Sequence, residues 1–381
     1  MAKKGIGMIR MSTANNGTGG DQPVAELFSP QLLTDRTVQQ LRDWSAVAEE
    51  NGCLHPDQIS LAHQHRWFHL FVPRQYGGLG LPLPHIVQLE EEIAFADGSV
   101  GWVVTLCAGA AMFVGYFEPS LAKQVFVNEA VIIAGSGQIA GTARVVEGGY
   151  LVSGAWPYAS GAPHAHWLTG NCRIEGTGDE QVMSFIFKRQ EVQLQPSWNY
   201  LGLNATAGHS FEVADLFVPA ERAFRISADA AVLADIIYQY PFLQLAEATL
   251  AANISGMCLY FFELAAGILG TKQPSHPRAQ QAIEKGRRMI HTAVREVNEL
   301  RHRFFSDVEG SRADIQSGAG SSEALLRVSK SSRQLARTAR NLVNEVYPYC
   351  GLEAARTGSA IGRVWRNINT ASQHTLLLEV D

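Results

Sequence analysis

The hydrophobic period of this chain changes twice, and no other feature limits its folds as much. From about Ala25 to Val125 the apolar residues recur at helical spacing, with Val38, Leu41, Trp44, Val47 and Ala48 on one stripe. From about Phe126 to Phe224 the period drops to two and turn residues multiply. From about Ala230 onward the helical period returns, with Ile283, Ile290, Val294, Val297 and Phe304 on one face. The expected fold class is therefore α+β. An N-terminal helical domain (25–125) precedes a small, mostly antiparallel β-barrel or sandwich (126–229), and a C-terminal four-helix bundle (230–381) follows. Residues 1–24 carry basic side chains without an apolar core and read as a disordered arm, not a signal peptide.

Within the first zone, His85–Ala96 reads as a helix with Glu90, Glu91 and Glu92 on its wet side, and Gly98–Glu118 as a largely apolar one. In the second, Thr142–Val146 and Tyr150–Ser153 flank the Gly148-Gly149 turn as a hairpin. Trp167–Arg173, Gln181–Lys188 and Ser210–Val218 are further strands, and EGTGDE (175–180) is a polar turn. In the third, Ser306–Ser322 reads as the linker between two long helices.

The formal charge is −5, and the basic residues from Lys285 to Arg303 alternate with Glu284, Glu296 and Glu299. A solvated helix face explains them, and nucleic acid is not an expected partner. The five cysteines are scattered with no CxxC pair, which argues against a disulfide framework or zinc site and for a reducing compartment such as the cytoplasm. Leu243–Leu269 is the most apolar stretch, but Glu247, Asn253, Ser255 and Glu263 interrupt it; it reads as a helix buried on several sides, with no membrane partner.

Several motifs bear on chemistry. Gly135, Ser136 and Gly137 begin a glycine-rich run after a strand, but the spacing is GxGxxxG and a hairpin follows. No helix N-terminus is there to take a pyrophosphate, so a dinucleotide fingerprint is excluded. The run serves either as a plain turn or as backbone amides laid against a flat ligand. His63 with His65, and His164 with His166, have pair spacing but no neighbouring acid or thiol in sequence, so no metal is expected. In GAWPYASG (154–161), Trp156 and Tyr158 offer flat apolar surfaces to a planar heteroaromatic ring. Ser160 follows in a glycine-flanked turn whose amide and hydroxyl can reach a ring heteroatom. The alternative is a Trp-rich corner of the β-domain.

Five segments together resemble the acyl-CoA dehydrogenase superfamily over roughly Ala25 to Leu378. They are VPRQYGGLG (72–80), LEEEIAFADGSVGW (89–102), GGYLVSGAWPYASGAPHAHWL (148–168), LGLNATAGHSFEVADLFVPAER (201–222) and RVWRNINTASQH (363–374). The resemblance implies a flavin, FAD or FMN, held between β-domain and bundle. The Trp156–Ser160 turn would lie on the ring with Ser160 near its reactive nitrogen, Gly135–Gly137 over another edge, and Arg366 shaping the site. Tyr76, Trp102, Leu106, Ala110 and Glu247 would line the substrate pocket. A homotetramer, a dimer of dimers, is also implied.

Two branches of that superfamily need different residues. A dehydrogenase places a carboxylate base shortly after an Arg-Asp pair; here the pair is Arg366-Asn367 and the equivalent stretch is Ser372-Gln373-His374-Thr375, with Glu379 beyond it. The branch that takes reduced flavin from a separate reductase resembles this chain more closely, because it tends to have His where His374 stands. The leading expectation is a flavin-dependent monooxygenase that oxygenates a small apolar or aromatic substrate, with His374 and Ser160 as its catalytic residues. Its pocket around Leu106–Ala111 is small-residue and apolar, without the His that phenol-hydroxylating members often carry there. The alternatives are an acyl-CoA dehydrogenase whose base is Glu247, and a non-catalytic scaffold of the same fold.

Overall fold

The computed structural model describes residues 30–176 and 181–379. The expected arm over 1–24 and most of the EGTGDE turn lie outside the described residues. Six helices come first: α1 (Asp35–Asp43), α2 (Ser45–Asn51), α3 (Pro56–Gln64), α4 (Leu83–Ala96), α5 (Gly98–Ala111) and α6 (Pro119–Val125). Seven strands follow: β1 (Ile133–Val146), β2 (Gly149–Ala159), β3 (Trp167–Ile174), β4 (Val182–Lys188), β5 (Gln193–Gln195), β6 (His209–Pro219) and β7 (Ala223–Phe224). The chain returns to helix with α7 (Phe242–Thr271), α8 (Pro277–Gln316), α9 (Ser322–Cys350), α10 (Leu352–Ala355) and α11 (Ala360–Ala371). The two changes of period thus fall where the elements change.

The strands form one continuous sheet in the order β5-β6-β2-β1-β3-β4-β7. All neighbours are antiparallel except β1 and β3, which run parallel. The glycine-rich run is not a turn: it lies inside β1, whose pairing with β3 shifts register between Gly135 and Gly141. A side chain at Gly135 would fall 2.1 Å from the Thr169 hydroxyl, so glycine is what allows the two strands to close there.

Asp97 separates α4 from α5. Its carboxylate accepts the Ser99 and Val100 amides, each at 2.9 Å, and so starts α5 one residue after α4 stops. The long helix α7 packs against α4, α5, α8, α9 and α11. At its crossing with α4, a Cβ on Gly256 would sit 2.1 Å from the Glu91 carbonyl. By length and apolarity α7 and the stretch Gly98–Tyr116 could each cross a membrane; in this fold both lie among other helices.

The three glutamates of α4 are not on a wet side. All are buried, and each carboxyl meets a different fate. Glu91 forms a two-pronged pair with Arg301 of α8 and accepts the Ser255 hydroxyl. Glu92 accepts the backbone amides of Gln31, Leu32 and Leu33 at 2.8 Å. Among the described residues Glu90 finds no partner of good geometry, although the Thr105 hydroxyl lies beside it, and burial pushes its carboxyl up to about 8. The stretch Ser306–Gln316 is also not a linker but the end of α8: Phe304, Val308 and Ser311 keep the helical spacing and are buried. Only the short turn 317–321 joins α8 to α9.

Candidate functional site

Strand β2 ends in a strained turn. Tyr158 has φ of 66°, and the Ser160 amide folds back to donate to the Tyr158 carbonyl at 3.0 Å. The Gly161 amide then donates to the Thr206 carbonyl at 2.8 Å. This turn lies against α5: a Cβ on Gly161 would come within 2.9 Å of Cys107 Sγ and 3.0 Å of Val103. Cys107 Sγ donates to the Ser160 carbonyl at 3.6 Å. Ser160 is thereby buried and fixed to one face of α5.

The adjoining face of α5 carries Trp102, Leu106, Gly109 and Ala110. Leu106 and Gly109 are the α5 positions that are not fully buried, and a Cβ on Gly109 would meet nothing within 4 Å. His374 approaches this face from beyond the end of α11, its ring 6.3 Å from that of Trp102 and inclined by 61°. Its Nδ1 accepts the Leu376 amide at 3.3 Å, so the neutral ring carries its proton on Nε2. Burial holds the imidazole below its ordinary value. Trp102 and Cys107 are five residues apart, about 7.5 Å along a helix axis. Ser160 and His374 therefore flank the same short length of α5.

The loop before β6 joins these parts. The Leu203 amide donates to Asn367 Oδ1 of α11 at 2.7 Å, and a side chain at Gly202 would strike the Arg366 backbone. The same loop supplies the Thr206 carbonyl that holds the Ser160 turn.

Other expected residues sit elsewhere. Trp156 is 0% exposed: its ring stacks on Phe211 at 5.0 Å and 19°, presses on Gly154 and Gly170, and donates to the Asn171 carbonyl at 3.0 Å. No face is left for a ligand, so Trp156 supports the sheet under the turn, and Tyr158 is the ring that stays half exposed. Arg366 is committed to Glu49 of α2 at 2.6 Å, with Arg363 on the other carboxylate oxygen. Glu247 is buried, accepts the Ser329 hydroxyl at 2.5 Å and pairs with Arg333 at 3.3 Å. It braces α7 against α9 and is not a free base. Glu379 is likewise held, by Arg337. Tyr76 packs toward Phe126, with ring centroids 6.2 Å apart. Ser136 Oγ accepts the Gln138 amide, while Gly137 faces open space and its carbonyl accepts Asn171 Nδ2.

The sequence did not point to Trp198 and Tyr200, which join Tyr158 in an aromatic group. The repeated W-x-Y spacing of Trp156–Tyr158 and Trp198–Tyr200 was the available signal. It also did not foresee His164 Nε2 lying 3.2 Å from Cys53 Sγ. His166 turns instead to the Ile132 amide, and no metal-binding group of three or more His, Cys, Asp or Glu exists among the described residues. A separate concavity of about 580 Å³ runs along β2, β5 and β6, lined by Glu191, Gln193 and Glu212 among others. Its carboxylates are already paired, Glu191 with Arg222 and Glu212 with Gln195, and none of the Ser160 or His374 surroundings line it.

No family model matches the chain. It is 25% identical over 359 residues to the oxygenase subunit HsaA of a flavin-dependent monooxygenase from Rhodococcus jostii (strain RHA1), covering 89% of this chain and 92% of that protein. It is 23% identical over 337 residues to an indole-3-acetate monooxygenase from Pseudomonas putida, covering 85% and 84%. Its fold matches the crystal structure of 3-HSA hydroxylase from Rhodococcus sp. RHA1 with a TM-score of 0.81 at 23% identity, over 93% of each chain. XiaF from Streptomyces sp., in complex with FADH2 and glycerol, matches with a TM-score of 0.79 at 18% identity, over 90% and 89%. By sequence and by fold, the chain is a relative of the oxygenase components of flavin-dependent monooxygenases, which share the acyl-CoA dehydrogenase-like fold.

Proposed function

We propose that this chain is the oxygenase component of a two-component flavin-dependent monooxygenase, acting on a small apolar or aromatic substrate. The observation that carries the reading is that the Ser160 turn and His374 flank the same short length of α5, while the rival base Glu247 is locked to Ser329 and Arg333. The acyl-CoA dehydrogenase alternative loses its base on that ground. The relatives carry names such as FADH(2)-dependent resorcinol hydroxylase, oxygenase component. By that likeness the flavin arrives reduced, from a separate reductase.

The residues present suit a flavin. A half-exposed ring at Tyr158 and a buried serine lie together in one turn, with unfilled space at Gly109 nearby on α5. Reduced flavin supplies the two electrons with which oxygen is activated. Ser160 would hold a ring heteroatom through its hydroxyl, and Tyr158 would offer a face. The turn fixed on Cys107 keeps both pre-aligned and the burial of Ser160 excludes water. With Nδ1 occupied by Leu376, His374 presents Nε2 to the substrate, where it orients a hydroxyl or carries a proton. Trp102, Leu106 and Ala110 form the apolar wall. The same reading includes a C-terminal four-helix bundle of α7, α8, α9 and α11 through which a homotetramer assembles.

The test is an anaerobic titration with reduced FAD and FMN, followed by turnover of a phenolic or indolic probe under ¹⁸O₂. Tight binding of a reduced flavin and one ¹⁸O atom in the product are expected. Absence of binding in either redox state would leave the scaffold alternative, and bleaching of bound oxidised FAD by an acyl thioester would restore the dehydrogenase.

A further inference from the structure

Beside the Ser160 turn three aromatic rings meet at the surface. Trp198 and Tyr200 have centroids 4.5 Å apart, and Tyr158 lies 6.3 Å from the first and 6.2 Å from the second. Their planes are inclined by 48° to 88°, so none is consumed by stacking on another. Tyr158 and Tyr200 keep 46% and 47% of their surface exposed. Trp198 is set deeper, and its indole N–H is buried without an acceptor among the described residues. The Tyr158 and Tyr200 side chains are hydrogen-bonded to each other, so what the group offers outward is ring faces, which suit a planar partner.

The group is held in place. The Ser197 and Trp198 amides both donate to His209 Nδ1, and His209 is the residue paired with Ala159 at the end of β2. A Cβ on Gly208 would lie 2.7 Å from the Trp198 ring, so only glycine lets the indole settle there. Past Tyr200, the loop is anchored again at Leu203 by Asn367. Tyr158 itself accepts a strained φ to face this group. Tyr158 is two residues from Ser160, which puts the three rings beside the Ser160 turn.

We propose that Trp198 and Tyr200, together with Tyr158, form an aromatic rim that binds the isoalloxazine ring of the flavin beside the Ser160 turn. This rests on the flavin reading above and adds two residues to it. The rings recognise the part that FAD and FMN share, so both flavins depend on them equally. Tyr200 is exposed, so the fold is expected to survive its replacement.

The experiment measures binding of FAD and FMN, oxidised and reduced, to the wild type, Tyr200→Ala, Tyr200→Phe and Trp198→Phe, with circular dichroism as the check on folding. Tyr200→Ala is expected to weaken both flavins by about tenfold, and Tyr200→Phe, which keeps the ring, by less than about twofold. The flavin-dependent quenching of tryptophan emission should shrink in Trp198→Phe. Wild-type affinity in Tyr200→Ala would overturn the rim while leaving the flavin reading in place; a wild type that binds neither flavin would overturn both. Unchanged flavin affinity with a smaller particle in light scattering would assign the patch to contact between copies and overturn the proposal.

Discussion

Asn367 Oδ1 accepts the Leu203 amide at 2.7 Å, across 164 residues of chain. The bond ties α11, which leads to His374, to the loop whose Thr206 carbonyl holds the Ser160 turn. The segment that leads to His374 and the turn that holds Ser160 are thus linked through one buried amide side chain. Asn367→Ala leaves the Leu203 N–H unpaired, at a cost of about 1–3 kcal/mol. It should lower the urea midpoint and also weaken flavin binding. A loss of stability with unchanged flavin affinity would show that the tie braces the helices without positioning the proposed site.

Glu247 and Arg333 offer the sharpest separation between the two enzyme readings. Glu247→Gln leaves the Arg333 charge without its partner, and breaking a buried pair costs roughly 3 kcal/mol. Stability should fall by that order while ¹⁸O incorporation per folded molecule stays close to wild type. Complete loss of turnover in a folded Glu247→Gln protein would return Glu247 to the chemistry.

What could be read from the sequence was what depends on local pattern. The periods located helices and strands, whereas the roles proposed for Ser160 and His374 came from the resemblance of their segments to a known family. What could not be read depends on partners far away in the chain. Glu90, Glu91 and Glu92 look like a solvated run; Arg301 lies 210 positions from Glu91, and no local feature announces it. Trp156 and Tyr158 look alike as flat rings, yet β3 closes over one and leaves the other open, because Gly154 and Gly170 make room for the Trp156 indole. Ser306–Gln316 is rich in small and polar residues, but Val308 and Ser311 continue the buried stripe, and the Ser311 hydroxyl meets that of Tyr240.

Five histidines, His63, His69, His164, His209 and His374, are held below their ordinary value, chiefly by burial. Above about pH 6.5 they are neutral in both folded and unfolded chains and contribute no pH dependence. As pH falls below that value the unfolded chain takes up protons first, so stability is lost until the folded pKa values are reached. Thermal midpoints should drop from pH 7 to pH 5. On the proposed function, in which His374 Nε2 serves the substrate, a His374→Asn variant should lose part of the acid limb of turnover as well; an unchanged limb would remove His374 from the reaction.

Glu90 predicts the opposite slope. Its carboxyl is 0% exposed and pushed up to about 8, while the unfolded chain ionises near 4.5. Below 4.5 both states hold the proton and nothing is lost. Between 4.5 and about 8 the unfolded chain has released a proton that the folded one keeps, so stability falls as pH rises, by at most about 1.4 kcal/mol per unit. Glu90→Gln cannot ionise and keeps a similar shape beside Thr105. It should match the wild type near pH 5 and become more stable by a few kcal/mol near pH 8, measured by urea unfolding across that range. Parallel curves for the two proteins would mean that Glu90 ionises in the folded state, with a partner that the packing of α4, α5 and α7 does not supply.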